Sequence, residues 1–282
     1  MKNIKISGFS DEIDSNINIQ FQVLKKLGIE YFEPRGINGK NISEITDEEL
    51  LQLKNDMDEF GIKASSVGSP IGKINITDDF EEHLEKLKRV IYIAKQLGTK
   101  YIRIFSFFIP KGEKPENFRD EVMLRMKRMA EIAEENDVIL LHENEKNIYG
   151  DTAKRCVDIF KTVNSPNLRA VFDPANFVQV GQKTYPDAYQ MMMPYIEYMH
   201  IKDACGETIV PAGQGEGFIE QILKDLYENG YEGFLSLEPH LGSFEGLAAL
   251  ELDDKMLSLP KSGEGTFTLA FNELNKVLDK IN

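Results

Sequence analysis

Four polar residues stand where an apolar run stops. Glu143 closes VILLHE, Asp173 closes RAVFD, His200 lies in IEYMHIKDA and Glu238 closes GFLSLE, at steps of 30, 27 and 38 residues. Each run is short and aliphatic or β-branched, so it reads as a buried strand. Three carboxylates drawn to one point would repel one another, and at least one would hold a proton at neutral pH. A divalent cation removes that conflict. Three carboxylates and an imidazole make a mostly oxygen donor set, suited to Mn²⁺ or Mg²⁺ and open to Zn²⁺ or Co²⁺. One charged residue at a strand end is as readily merely solvated; four in register, each after an apolar run, favour the metal.

The elements that must position these residues repeat along the chain. Four earlier strand candidates begin at Ile4 (IKISGF), Glu30 (EYFEP), Ile62 (IKASSV) and Tyr101 (YIRIFSF). Helix patterns fill the gaps, among them Asn18 to Gly28 and Glu81 to Gly98. In the second, Leu84, Leu87, Ile91 and Ala94 recur at the spacing of one buried face, which leaves His83 on the exposed side. Both patterns end in Leu-Gly, where glycine can take the left-handed conformation that ends a helix. Eight strand–helix units of roughly 35 residues each imply a parallel sheet. SGFSDEID stands where a dinucleotide fold would carry Gly-x-Gly-x-x-Gly. The expectation is therefore an α/β (β/α)8 TIM barrel, one domain over residues 1–282, with an elaborated loop at about 239–265 that serves as a cover or an assembly segment.

Catalytic groups in such barrels sit at the C-terminal ends of the strands. Glu143 and Glu238 come from strands five and eight and so approach from different sides. One can remove a proton beside a carbonyl and the other can return one, through a cis-enediolate. Other candidates can hold substrate oxygens: Glu33 and Arg35 in YFEPRG, Lys73 in GSPIGK, Arg103 in YIRIF, and Lys202 two residues past His200. The alternative for each is an ion pair with the abundant acids. Arg103 stands out, because a cation amid Tyr-Ile and Ile-Phe needs a buried partner. Asp203 supports His200 or caps its loop. His142 should face the helices if Glu143 faces the site. His240 reads as a loop residue, and Cys205 has no histidine at useful spacing. GQGEG from Gly213 to Gly217 lies where many barrels bind phosphate, but Glu216 would oppose one. Phe9, Phe105, Phe107 and Phe108 read as core, with some free to stack on a sugar.

In the contexts LLHEN, VFDPAN, YMHIKDA and LSLEP, Glu143, Asp173, His200 and Glu238 resemble the ligand set of the xylose-isomerase-like TIM-barrel superfamily (sugar phosphate isomerases and epimerases). That superfamily includes sugar isomerases, ketose 3-epimerases, inosose dehydratases and endonuclease IV. The resemblance runs from SGFSDE to GYEGFLSLE. It implies that the glutamates matching Glu143 and Glu238 bind metal and shuttle the proton, while Asp173 and His200 are ligands only. Two slots depart from the common pattern. Asn176 replaces a frequent histidine and is carried over as a substrate contact, and Glu145 replaces another.

Composition narrows the function. Lysine and arginine number 33 against 47 aspartate and glutamate, a net charge of −14 with histidines neutral. Such a surface opposes nucleic acid. Four histidines cannot build the trinuclear zinc site of endonuclease IV. No apolar stretch approaches the ~20 residues that cross a bilayer, and no leader pattern opens the chain. Two cysteines suit a reducing cytoplasm. The expected partner is a small sugar or polyol, with no membrane contact; homo-oligomers are common in the superfamily. The expected enzyme is a metal-dependent isomerase or epimerase. Its rivals are a dehydratase with the same metal and base, and a non-catalytic sugar-binding barrel.

Overall fold

Each of the eight apolar runs holds a strand in the computed structural model, which describes residues 4–245 and 260–281. They are β1 (Lys5–Gly8), β2 (Tyr31–Phe32), β3 (Lys63–Ala64), β4 (Tyr101–Ile104), β5 (Ile139–Glu143), β6 (Leu168–Phe172), β7 (Ile196–Ile201) and β8 (Phe234–Leu237). Six form a parallel sheet in the order β1-β8-β7-β6-β5-β4, and β2 pairs with β3. Backbone bonds join the two arcs. Glu33 N donates to Gly8 O at 2.9 Å. On the far side Val67 bridges Ile102, and Arg103 N donates to Val67 O at 2.9 Å. The result is the expected α/β barrel.

The helices between strands begin where polar caps allow. Asn16 accepts from Asn18 N and Ile19 N ahead of α1 (Ile17–Leu27), and Gly28 at φ 73° ends it. Thr46 and Glu49 form a reciprocal cap on α2 (Asp47–Phe60), and Asp79 caps α3 (Phe80–Gln96). The ring continues through α4 (Arg119–Glu135), α5 (Ala153–Val163), α6 (Pro174–Gln179), α7 (Tyr189–Met192), α8 (Ile219–Glu228) and α9 (Glu264–Ile281). Strand residues alternate between two environments. Leu140, Met199, Ile201 and Leu235 pack into the large apolar layer under the helices. Leu141, Val171, Tyr198 and Phe234 plug the barrel interior.

Two expectations change. α9 starts at Glu264, just inside the span expected as loop. Of the rest of that loop, Ser243 bridges Lys261, and residues 246–259 lie outside the described residues. His83 is buried, not exposed. The buried face of α3 is wider than the four-residue stripe and takes in Phe80, His83 and Val90. The loop after β3 crosses it there, and His83 Nε2 accepts from Gly72 N at 2.7 Å. Gly72 itself has φ +86°, and a Cβ would fall 2.1 Å from Phe105 O, so only glycine fits.

Burial holds His83 down at about 4, and does the same to His142. An unfolded histidine takes its proton near pH ~6.5. Between pH 6.5 and 4 the unfolded chain thus binds protons the fold refuses, and stability falls as pH falls. Replacing His83→Gln keeps an acceptor for Gly72 N and removes that titration. Thermal midpoints measured from pH 7 to 4 should decline less steeply in the variant than in the parent; identical slopes would refute the assignment.

Candidate active site

The four residues picked out by spacing meet at the C-terminal end of the barrel. Glu143 ends β5, Asp173 follows β6 as the cap of α6, His200 lies in β7 and Glu238 follows β8. All four are buried, and one ligand atom from each lies within 4.8 Å of the others. Opposed donors on a cation bound at ~2.1 Å stand about 4.2 Å apart, so the cluster is close to the size of one coordination sphere. Glu143 Oε2 and Asp173 Oδ2 are buried, and the groups beside them are the cations Arg103 and Lys202. Three carboxylates and the imidazole between them are a fitting donor set for a divalent ion.

The acids are meanwhile held by cations. Lys202 Nζ lies 2.9 Å from Asp173 Oδ2 and 3.0 Å from Glu238 Oε2. Arg103 Nη1 lies 3.3 Å from Glu143 Oε2 and 3.5 Å from Glu238 Oε1. His200 Nδ1 is 3.2 Å from Glu143 Oε1 and 3.5 Å from Glu238 Oε2. Burial pushes Asp173 up to about 7 despite Lys202. Glu238 feels the same burial, but Lys202, His240 and His200 outweigh it and hold its carboxyl well below the usual range. Burial would lower His200, yet Glu143 and Glu33 raise it to about 10.

Among the residues expected to touch substrate, Lys73, Arg103, Asn176 and Lys202 line the cleft beside Glu143 and Glu238. Arg103 Nε and Nη2 make no hydrogen bond there among the described residues. Asn176 Nδ2 donates to Glu143 Oε1 at 3.1 Å, and Asn176 N donates to Asp173 Oδ1 at 3.0 Å, so it also steadies two of the acids. The free space is only about 10 Å³, roughly one water. A sugar-sized ligand therefore requires flexible stems such as Lys73 and Lys202 to turn aside.

Glu33 and Arg35 sit elsewhere. Glu33 lies beneath His200, taking hydrogen bonds from Ser236 Oγ at 2.7 Å and Tyr198 OH at 2.9 Å. Arg35 is spent on Asp11 at 2.8 Å, Glu12 at 3.3 Å and Glu238 at 3.1 Å. Inward alternation is legible in sequence; depth along the barrel axis is not. Two further residues shape the site, Asn144, which carried no signal in the sequence, and His240, which read as a loop residue. Asn144 exchanges bonds with the Asp173 backbone, its Nδ2 donating to Asp173 O at 2.9 Å and its Oδ1 accepting from Asp173 N at 3.0 Å. His240 turns into the cleft through a φ of 46°, its Nε2 3.6 Å from Glu238 Oε1. Glu145, in the slot of a frequent histidine, pairs with Lys73 at 3.5 Å. His142 faces α5 as expected, edge-on to Phe160.

The GQGEG segment is already filled. Asp203 accepts from the backbone N–H of Ala204, Gly213, Gly215 and Gly217 at 2.9–3.0 Å. A Cβ on Gly215 would lie 2.4 Å from Asp203 Oδ1. The glycines admit this carboxylate, and Asp203 is a loop cap rather than support for His200.

A model of the xylose isomerase-like TIM barrel family matches residues 21–255. The chain belongs to that family. A 3-dehydroshikimate dehydratase of Bacillus anthracis is 24% identical over 180 residues, a match spanning 62% of this chain and 62% of that protein's length. Among solved structures, the IOLI protein with a binding zinc atom superposes with a TM-score of 0.79 at 20% identity, covering 99% of both chains. A D-tagatose 3-epimerase-like protein does so with a TM-score of 0.76 at 16% identity, covering 99% of this chain and 98% of its own.

Asp203→Ala strips four amides of their acceptor. Charge-assisted bonds of this kind contribute about 1.5–3 kcal/mol each but do not add fully, so a loss of roughly 3 kcal/mol in chemical denaturation is expected. Inorganic phosphate at millimolar concentration should leave the parent's melting temperature unmoved. A clear upward shift would reopen the loop as a phosphate site.

Proposed function

We propose that this chain is a divalent-metal-dependent sugar isomerase or epimerase that moves a proton beside the carbonyl of a keto or aldo sugar or a polyol derivative. The observation that carries the reading is the convergence of one donor atom each from Glu143, Asp173, His200 and Glu238. A divalent cation held by them would stabilise the negative charge that develops on a substrate oxygen as its α-carbon loses a proton. Manganese or magnesium suits the oxygen-rich set, and zinc or cobalt is tolerated.

The chain's own residues then divide the work. Glu143 and Glu238 stand on strands separated by β6 and β7, so they reach a substrate from opposite sides. One takes the proton and the other delivers one, either to the same carbon or to its neighbour, with a cis-enediolate between. Arg103 has unspent N–H donors for a substrate oxygen, and Lys202 and Lys73 can follow it once their carboxylates are shared. The two cysteines are unpaired, Cys156 buried and Cys205 exposed, which accords with a reducing cytoplasm. Among the described residues no helix is long and apolar enough to cross a membrane.

A second reading draws on the dehydratase relative. The same base and metal would serve a lyase in which proton removal is followed by loss of a β-hydroxyl. A product assay separates the two, because only the lyase releases water from its substrate.

Three measurements test the proposal. The protein should bind about one equivalent of Mn²⁺, and chelation should abolish turnover until metal returns. Glu238→Gln should lower turnover by about 10²–10⁴-fold while still binding metal, and should wash no substrate α-proton into heavy water. Full exchange in that variant would remove Glu238 from the proton path. A parent protein that binds no divalent ion and is indifferent to chelator would refute the reading and favour a non-catalytic barrel.

A further inference from the structure

The His200 ring is suspended between carboxylates on its two nitrogens. Nδ1 faces Glu143 and Glu238 at 3.2 and 3.5 Å, and Nε2, which makes no hydrogen bond among the described residues, faces Glu33 Oε2 at 3.4 Å, slightly beyond hydrogen-bond length. Glu33 does not reach the cleft. It is anchored from below by Ser236 Oγ and Tyr198 OH, and Tyr198 OH lies 2.8 Å from Ser65 Oγ, which in turn meets Ser7 Oγ at 2.6 Å. All five residues are buried in the barrel interior. Phe9 and Tyr198 both stand edge-on to the imidazole, at 5.1 and 5.9 Å between ring centres, which restricts its tilt. A carboxylate placed in the core at such expense of desolvation, with two donors holding one oxygen under a histidine, has a stated physical use. It fixes which nitrogen carries hydrogen and which offers its lone pair.

We propose that Glu33 is a positioning residue: it holds the Nε2 side of His200 so that Nδ1 points at Glu143, Asp173 and Glu238. The inference rests on the metal-binding role proposed for His200. The hydroxyls of Tyr198 and Ser236 act on the metal through Glu33. Glu33 therefore belongs to the metal centre and not to the substrate contacts.

Zn²⁺ affinity, measured by competition with a chromophoric chelator, is the first readout. The second is the ¹⁵N spectrum of the imidazoles in Zn²⁺-loaded protein, tractable with four histidines in the chain. Glu33→Gln should weaken Zn²⁺ about 10–100-fold. It should also replace the single Nδ1-bound signature of His200 by a mixture of ring states. The double variant Tyr198→Phe with Ser236→Ala should show a smaller fall in affinity with the same spectral change. Parent and Glu33→Gln holding Zn²⁺ equally well, both through Nδ1, would overturn the inference while leaving the metal centre intact. If Glu33→Gln fails to fold, the double variant decides, and unchanged affinity and spectrum there overturn it. A parent that takes up no Zn²⁺ would instead fell the metal reading itself.

Discussion

Three buried carboxylates around one imidazole are the constraint that the rest of the barrel accommodates. Taking a carboxylate out of water costs several kcal/mol unless partners replace its hydration. Here the replacement is distributed. Lys202 spans Asp173 and Glu238, Arg103 spans Glu143 and Glu238, and Arg35 ties Glu238 to Asp11 and Glu12. The last of these has an architectural effect. Arg35 follows β2, Asp11 and Glu12 follow β1, and Glu238 follows β8, so one guanidinium staples the β1–β2 junction, one of the two where the sheet arcs meet. Phe9 underlies it at 4.3 Å from the guanidinium carbon, shielding the pairs from water. Site and closure are therefore one network, and removing a single cation would leave charge uncompensated in both.

The amide groups around the acids do quieter work. Asp173 serves as the cap of α6 while its other oxygen faces Lys202, so the helix start fixes the carboxylate's orientation. Asn144 locks the Asp173 backbone to the end of β5, and Asn176 reaches back from α6 to Glu143. Neighbouring strands thus hold each other's acids. A donor set built on strand ends and a helix cap is held more rigidly than one borne on loops.

How much of this was legible follows from what sequence encodes. Strand ends are marked by where aliphatic alternation stops, so Glu143, Asp173, His200 and Glu238 announced themselves, and His142 could be assigned to the opposite face. Depth is not so marked. Glu33 and Arg35 follow a strand, yet β2 is only two residues long, and the Glu33 side chain is taken up by Tyr198 of β7 and Ser236 of β8 inside the barrel. His83 was misplaced because a histidine in a helix pattern reads as polar, and only the crossing of the β3 loop gives it a buried donor. The glycines of GQGEG resemble a phosphate cradle for the same reason they fit Asp203, since both need unobstructed amides. His240 enters by a positive φ that no periodicity foreshadows.

Polarity along the barrel axis explains why such a charged mouth is compatible with folding. At the bottom, Leu141, Val171 and Phe234 form a dry plug with the ring of Tyr198. Above it the Tyr198 hydroxyl joins Ser7, Ser65, Ser236 and Glu33 in a layer of hydrogen-bond donors and acceptors. His200 meets that layer at Glu33, whose Oε2 lies 3.4 Å from its Nε2. Ser7, Ser236 and His200 are directly paired across β1, β8 and β7, which brings the hydroxyls beside the imidazole. Tyrosine suits the junction because its ring is apolar and its tip is not. Against burial, Lys202, His240 and His200 hold Glu238 charged, and the strand ends bring the acids to the mouth, where a ligand can meet them.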